Sequence, residues 1–346
     1  MTPYVGRLAP SPTGALHLGN VRTFMIAWLR ARSQGGKVIL RMEDLDHPKD
    51  KPGAAAAALD DLRWLGFDWD EAYVQSERKE FYRAALERLV SPPDQANANR
   101  QLPIANRPVE QPSNLPIEQS EQSDNRTIPR VYPCVCSRRD VETAQSAPHS
   151  GEQLFYPGTC RGRFASWDAA AAAIAPRTPC WRFRVPDATV VSFRDVFAGA
   201  YSQDVSATLG DFPVSRDRFG AGYTLAVVVD DAAMGVTEVV RGDDLVAATP
   251  AQILLQRALG LPTPAYCHVP LVVGPDGRRL AKRHGDTRVS SYRAAGRRPE
   301  EILGFLASSC GWCAHGERPT LRDLIPAFRL ETVSHAPLVI RDGSLT

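Results

Sequence analysis

Two widely separated stretches carry residue types suited to a phosphorylated ligand. Pro10-Ser11-Pro12-Thr13-Gly14-Ala15-Leu16-His17-Leu18-Gly19-Asn20 joins an apolar run to a segment of helical spacing. Its small residues let backbone approach a ligand closely, and the positive end of the following helix suits an anion. His17 and Asn20 add side-chain donors at that end. On its own, this stretch reads more readily as an ordinary turn with a capping His. Far downstream, Arg278-Arg279-Leu280-Ala281-Lys282-Arg283-His284-Gly285 follows Gly274-Pro275-Asp276-Gly277. Nucleotidyl transfer asks mainly for positive charge placed on developing phosphate charge, and a loop lysine such as Lys282 can supply it. From Arg278 to Arg298 there are eight Lys or Arg against one acid, Asp286, a density that suits ATP phosphates or an RNA backbone.

A second constellation is Cys134-Val135-Cys136 with Cys160. Structural zinc takes thiolates readily and is usually four-coordinate, so this trio needs one more donor, with His149 and Tyr156 both in between. Cys310-Gly311-Trp312-Cys313 has the spacing of a metal or redox pair, but it follows a helix and has no second pair nearby, so a structural role is expected. Cys180 and Cys267 precede or enter strands and read as core residues. Seven cysteines in 346 residues are an odd number in a chain long enough to stand without disulfides, which fits a reducing cytoplasm.

The elements that must position these residues alternate between strand and helix. Val5 to Leu8 and Lys37 to Met42 read as strands. Val21 to Ala31 reads as the helix between them, and helices at Gly53 to Leu65 and Glu77 to Val90 follow, the latter with Ser76 as N-cap. This order predicts an α/β fold, a doubly wound parallel sheet with ligands at the carboxyl ends of its strands. In residues 91–130, 21 of 40 positions are Pro, Gln, Asn or Ser and none is aromatic, so a disordered insertion is expected. An Ala-rich helix at 166–175 precedes sheet material at Trp181 to Val185, Tyr223 to Val229, Val236 to Val240 and Val269 to Val273. Thr249 to Leu259 reads as a helix closed by Gly260, and the remainder to Ile325 as largely helical. The 43% apolar content supports a sizeable core, and no apolar run reaches membrane-spanning length.

Several ordered blocks carry a family resemblance. Gly6-Arg7-Leu8-Ala9-Pro10-Ser11-Pro12-Thr13-Gly14 with His17-Leu18-Gly19-Asn20 resembles the opening signature of class I aminoacyl-tRNA synthetases, in their glutamyl subgroup. Arg41-Met42-Glu43-Asp44-Leu45-Asp46 resembles that subgroup's next block, and Arg279-Leu280-Ala281-Lys282-Arg283 its second ATP signature. Val227 to Asp231 and Val239 to Leu245 extend the likeness over most of residues 4–300. Asn20 stands where the generic motif has a second His, and Arg279, Ala281 and Arg283 where it has Lys, Ser and Ser; Lys282 is kept.

The resemblance implies a class I synthetase Rossmann-like fold with an inserted zinc-bearing subdomain and a short helical C-terminal region. The expected division is 1–90 for the first catalytic half, 91–130 for the insertion, 131–180 for the zinc segment, 181–285 for the second half and 286–346 for the helical end. It implies catalysis by His17, Asn20 and Lys282, ATP bound as its Mg2+ complex by His17, Gly19, Asn20 and Lys282, and L-glutamate held by Arg7, Leu8, Ala9, Pro10, Ser11, Glu43, Tyr223 and Arg241. Two carboxylates and one ammonium call for arginine forks and one acid. Either Arg7 or Arg241 could take either carboxylate. In the family's truncated members a Tyr four residues before the third Cys is the fourth zinc ligand, which makes the implied set Cys134, Cys136, Tyr156 and Cys160, with His149 as the other candidate. Only 64 residues follow Lys282, so no anticodon-binding domain is expected. That combination resembles the truncated paralogues, which glutamylate queuosine in the anticodon of tRNA(Asp) in the cytoplasm, and a monomer is expected. The alternatives are a small ligase charging a tRNA 3' end and a non-catalytic tRNA-binding module.

Overall fold

The computed structural model describes residues 3–12, 14–45, 51–91, 130–144, 154–278, 280 and 287–341. Lys282, His149 and most of the expected insertion (92–129) lie outside the described residues.

The chain opens with β1 (Val5–Leu8), β2 (Lys37–Met42) and β3 (Glu71–Val74), parallel and bonded in that order. Helix Leu18–Arg32 carries the chain from β1 to β2, and helix Ala54–Trp64 from β2 to β3. The first buries Leu18, Val21, Met25, Trp28 and Leu29 at spacings of three and four, which lays an apolar stripe on the sheet. After helix Lys79–Val90, β4 (Val131–Cys134) pairs antiparallel with β5 (Cys180–Phe183). A hairpin of β6 (Val190–Asp195) and β7 (Gly199–Asp204) follows, and the two-residue β8 (Phe212–Pro213) returns to β5. β9 (Glu238–Gly242) and β10 (Ala265–Val269) then complete a sheet of order β7-β6-β10-β9, in which β6, β10 and β9 are parallel. β11 (Val272–Val273) pairs with β12 (Leu338–Val339) near the end.

The two parallel sets meet at β1 and β9. Thr237 N donates to Val5 O at 2.9 Å, and the Arg7 guanidinium donates through Nη1 to Val240 O at 2.7 Å. β1 to β3 run outward from this seam on one side and β9 to β10 on the other, so the seam is the switch point at whose carboxyl edge an α/β sheet receives ligands. Arg7 in β1, Glu43 after β2, Arg241 in β9 and His268 in β10 all reach that edge. The helices Pro299–Ser308 and Leu321–Leu324 bury Ile302, Leu303, Leu306, Leu321 and Leu324 in the same core as Trp28 and Met25, so the C-terminal region packs onto the first half-sheet.

Three expectations need correction. Tyr223 to Val229 is helical, within Tyr223–Ala233, where the sequence suggested a strand. Leu225 to Val229 is buried throughout, and an apolar run buried on all sides has no periodicity by which to tell helix from strand. The Val269 to Val273 strand is split into β10 and β11 around Pro270, which has no N–H to give a ladder. Ser76 lies in the 3-10 turn Gln75–Glu77 and does not cap the helix: its N–H and hydroxyl donate to the Asp44 carboxylate at 2.8 and 2.6 Å.

Candidate active site

The first glycine-containing loop ends where helix Leu18–Arg32 begins, and His17 is its N-cap. His17 Nδ1 accepts from Gly19 N at 3.1 Å and Asn20 Oδ1 accepts from His17 N at 3.2 Å, a reciprocal pair that orients the first turn's remaining N–H groups. Gly19 is needed there, because a Cβ would stand 3.0 Å from the His17 ring and 3.6 Å from Val272 Cβ. The chain that leaves the second basic stretch is tied to the same spot. Leu18 N donates to Thr287 O at 3.1 Å, Val289 N to Leu16 O at 2.9 Å, and His17 bridges to Arg288. Two motifs some 270 residues apart in sequence thus have their described flanks at one helix N-terminus, an arrangement suited to a polyphosphate.

Beside it lies a buried cluster of charge. Arg41, with no exposed surface, donates Nη1 to Asp231 Oδ1 at 2.6 Å and Nη2 to Glu43 Oε1 at 3.0 Å. Arg7 Nε sits 3.8 Å from Asp231 Oδ1 and, although buried, has no hydrogen-bond partner among the described residues. Glu43 is anchored from the loop side, its N–H donating to Pro10 O at 2.9 Å. Burial pushes the Glu43 carboxyl up, and the Arg41 and Arg7 charges pull it back. Arg241, 7% exposed, differs from its neighbours in having only neutral partners among the described residues: His268 Nε2 at 2.9 Å, Thr249 Oγ1 at 2.8 Å and Leu245 O. Its positive charge therefore has no carboxylate at ion-pair distance, a costly state in a buried site unless an anion binds. Tyr223 opens its helix at the same place: the Glu43 charge raises its phenol, while Arg241, Arg7 and Arg41 act in the opposite sense. One arginine without an acid, a second with a free Nε and a glutamate whose Oε2 accepts no hydrogen bond among the described residues suit a zwitterion with excess negative charge.

Of the other residues implied for glutamate, Leu8 is wholly buried in the core and has only backbone to offer, Pro10 is buried with its carbonyl already engaged, Ala9 is half-buried and Ser11 is exposed.

The cysteine segment forms a third, separate cluster. The sulfurs of Cys134, Cys136 and Cys160 lie within 4.8 Å of one another. The Tyr156 hydroxyl is 3.3 Å from Cys134 Sγ and 3.6 Å from Cys136 Sγ, and it accepts from Cys160 N at 2.9 Å. A hydrogen bond from Cys180, directly opposite Cys134 in the β4–β5 ladder, and the Arg182 guanidinium hold the Cys134 thiol down to about 4. Burial pushes the Cys136 thiol up to about 12. The donors thus sit close enough to share one ion, and without a cation they cannot all ionise. Cys310 and Cys313 lie against the main core, away from this cluster.

The family model for tRNA synthetases class I (E and Q), catalytic domain, matches residues 4–95 and 131–345. The chain belongs to this family. Within it, the chain is 44% identical to the glutamyl-Q tRNA(Asp) synthetase of Symbiobacterium thermophilum, over 97% of this chain and 95% of that one. It is 42% identical to the protein of the same name from Rhodopirellula baltica, over 100% and 99% of the two chains. A glutamate–tRNA ligase of Geobacter sulfurreducens is 36% identical, with 98% of this chain matching 64% of the ligase. The crystal structure of a glutamate tRNA ligase from Elizabethkingia meningosepticum superposes with a TM-score of 0.74 at 23% identity, over 100% of this chain and 68% of that one, which places the chain in the class I synthetase fold. Among the described residues no helix is long and apolar enough to cross a membrane.

For this synthetase family member, sequence reading missed the residues that hold the pocket together. Arg41 and Asp231 were inside quoted blocks, but nothing in their spacing pairs them across 190 positions. His268 carried no signal because a lone His in an apolar strand reads as a satisfied core group, and Asp195 carried none because it ends a strand of mixed polar and apolar residues.

Proposed function

We propose that this chain, acting as a cytoplasmic monomer, activates L-glutamate with ATP and transfers the glutamyl group to queuosine in the anticodon of tRNA(Asp). The observation that carries this reading is the end-to-end match, over 95% or more of both chains, to two relatives of that name. A glutamate carboxylate oxygen attacks the α-phosphorus of the magnesium complex of ATP and pyrophosphate leaves. A hydroxyl of the queuosine cyclopentenediol then attacks the acyl carbon and AMP leaves. Arg241 and Arg7 hold the carboxylates, Glu43 the ammonium, and Tyr223 donates a hydrogen bond beside them. The backbone of Arg7 to Ser11 walls the site. His17, Gly19 and Asn20 form the phosphate-facing helix end, and Lys282 neutralises charge on the departing pyrophosphate. Labelled glutamate should pass to tRNA(Asp) carrying queuosine and not to tRNA(Asp) lacking it, and nuclease mapping should find the label at the modified anticodon base. Label at the 3'-terminal adenosine would make the chain a small glutamyl-tRNA ligase, and no ATP–pyrophosphate exchange under any condition would make it a binding module.

The division at 1–90, 91–130, 131–180, 181–285 and 286–346 is kept as part of this reading. It is supported by the packing of helix Lys79–Val90, before the 91–130 stretch, against β4, which follows it.

We further infer one structural zinc held by Cys134, Cys136, Cys160 and Tyr156. Zinc–sulfur bonds of about 2.3 Å at tetrahedral angles set sulfur pairs about 3.8 Å apart and an oxygen about 3.5 Å from each sulfur. The Cys136–Cys160 separation is 3.6 Å, and the Tyr156 oxygen is 3.3 Å from the Cys134 sulfur and 3.6 Å from the Cys136 sulfur. Elemental analysis should find one zinc per chain, lost in Cys134→Ser and Cys160→Ser. Retention of the metal in Tyr156→Phe together with its loss in His149→Ala would move the fourth ligand to His149. Absence of zinc from the wild-type protein would remove the site.

A further inference from the structure

Arg241 does not orient itself. Its Nε donates to His268 Nε2 at 2.9 Å, so that nitrogen must carry a lone pair, and the proton of a neutral His268 ring must sit on Nδ1. Nδ1 faces Asp195 Oδ2 at 2.6 Å. Asp195 is itself fixed: Oδ1 accepts from Phe197 N at 2.9 Å and Ala198 N at 2.8 Å, and the His268 N–H lies 3.1 Å from both carboxylate oxygens. All three side chains are nearly shut off from solvent, at 2% for Asp195, 1% for His268 and 7% for Arg241. On its other side the guanidinium gives Nη2 to Thr249 Oγ1 at 2.8 Å, and among the described residues Nη1 makes no hydrogen bond.

We propose that Asp195 and His268 are positioning residues for glutamate binding: Asp195 locks the His268 tautomer, and the lone pair on Nε2 fixes the Arg241 guanidinium so that Nη1 is presented to a substrate carboxylate. The inference rests on the reading of Arg241 as a glutamate-binding residue. A carboxylate at the far end of the relay is what the device requires. In Asp195→Asn the backbone donors from Phe197 and Ala198 keep the amide oxygen in place of Oδ1, which leaves the amide nitrogen facing His268 Nδ1. That nitrogen donates, Nδ1 must accept, and the ring proton moves to Nε2, where it opposes the Arg241 Nε–H. The hydrogen bond to Arg241 becomes a clash of two donors, while the backbone N–H of His268 keeps the amide oxygen as its acceptor. The carboxylate also leaves Arg241 without a direct counter-charge, since it acts through a neutral ring.

The test is glutamate-dependent ATP–pyrophosphate exchange, run with the tRNA present, on Asp195→Asn, His268→Leu, His268→Gln and Arg241→Ala. Asp195→Asn and His268→Leu should raise the glutamate KM by about 10- to 100-fold, the range found when a group that orients a ligand through a second bond is lost. The KM for ATP should stay as in wild type. His268→Gln, whose amide oxygen can accept from Arg241 Nε, should restore most of the glutamate affinity. Histidine side-chain NMR of the wild-type protein should show His268 protonated on Nδ1, a readout that survives even if a variant fails to fold. A wild-type glutamate KM in both Asp195→Asn and His268→Leu, or an Nε2-protonated ring in the wild type, overturns the positioning role. An Arg241→Ala protein with unchanged glutamate KM overturns the pocket assignment on which it rests, and separates that failure from the first.

Discussion

Lys282→Ala is expected to lower kcat for glutamate-dependent ATP–pyrophosphate exchange by about 100- to 1000-fold, the usual effect of removing one preorganised donor to transition-state charge, while the glutamate KM barely moves. The chain just after the basic stretch is pinned to the start of helix Leu18–Arg32 through Leu18 N to Thr287 O and Val289 N to Leu16 O. Lys282 stands five residues before Thr287 in the sequence; on the proposed reading it serves the phosphate end, where charge builds only as pyrophosphate departs, so its loss should fall on the transition state. Arg7 should divide the other way. It sits among Glu43, Asp231 and Arg241, and truncating one partner of a buried charge pair costs about 2–5 kcal/mol, or about 30-fold to several thousand-fold in kcat/KM for glutamate. Because the other carboxylate-binding groups would be left unpaired, Arg7→Ala should also weaken discrimination against glutamine. An unchanged ratio of glutamate to glutamine specificity constants in Arg7→Ala would take this residue out of the pocket. A large rise in the glutamate KM of Lys282→Ala would do the same to the proposed division of labour.

The parts of this architecture that were legible in the sequence are those set by local rules. β1 and β2 occupy the residues expected of them, and helix Thr249–Leu259 ends at Gly260, whose φ of +63° is the left-handed turn a glycine takes at a helix end. Local rules failed at Tyr223–Ala233, because its run Leu225 to Ala232 is buried throughout, packed against helices Lys79–Val90 and Thr249–Leu259, which erases the periodic pattern. The hairpin β6–β7 was passed over for the opposite reason: its strands alternate clearly in burial, but their sequence mixes polar and small residues too freely to stand out from loop. In the site, the residues expected to meet glutamate share recognisable loops at strand ends, and Glu43, Arg241 and Arg7 all stand close enough to act on the Tyr223 phenol. The residues that hold those four are non-local. Arg41 meets Asp231 across 190 positions and His268 meets Asp195 across 73, and no spacing rule reaches that far.

Arg41 is where that non-local wiring should be most costly to cut. It is completely buried, and its guanidinium is the only group among the described residues that bonds both Glu43 and Asp231. Arg41→Met keeps the stem and much of the volume but leaves two carboxylates facing each other out of water. Breaking a buried pair in this way typically costs about 3–5 kcal/mol, a large share of a domain's stability. The pH dependence has a definite sign. Burial already pushes Glu43 up with Arg41 in place, and without it the Glu43 carboxyl should rise further above its unfolded value, so the folded variant binds more protons than the unfolded chain. Stability then falls as pH rises, and the deficit relative to wild type should be largest near neutrality and shrink as pH drops toward the unfolded carboxyl range near about 4. Denaturant unfolding of wild type and Arg41→Met at several pH values would measure it, with Arg41→Met/Asp231→Asn expected to recover part of the loss at neutral pH by removing one of the two stranded charges. An Arg41→Met protein within about 1 kcal/mol of wild type at pH 7, the scale of an ordinary surface pair, would mean that water or a rearranged Arg7 can replace Arg41. A deficit that grows on acidification would mean that the two carboxylates do not repel across the gap, and the charge arrangement drawn here for the pocket would have to be redrawn.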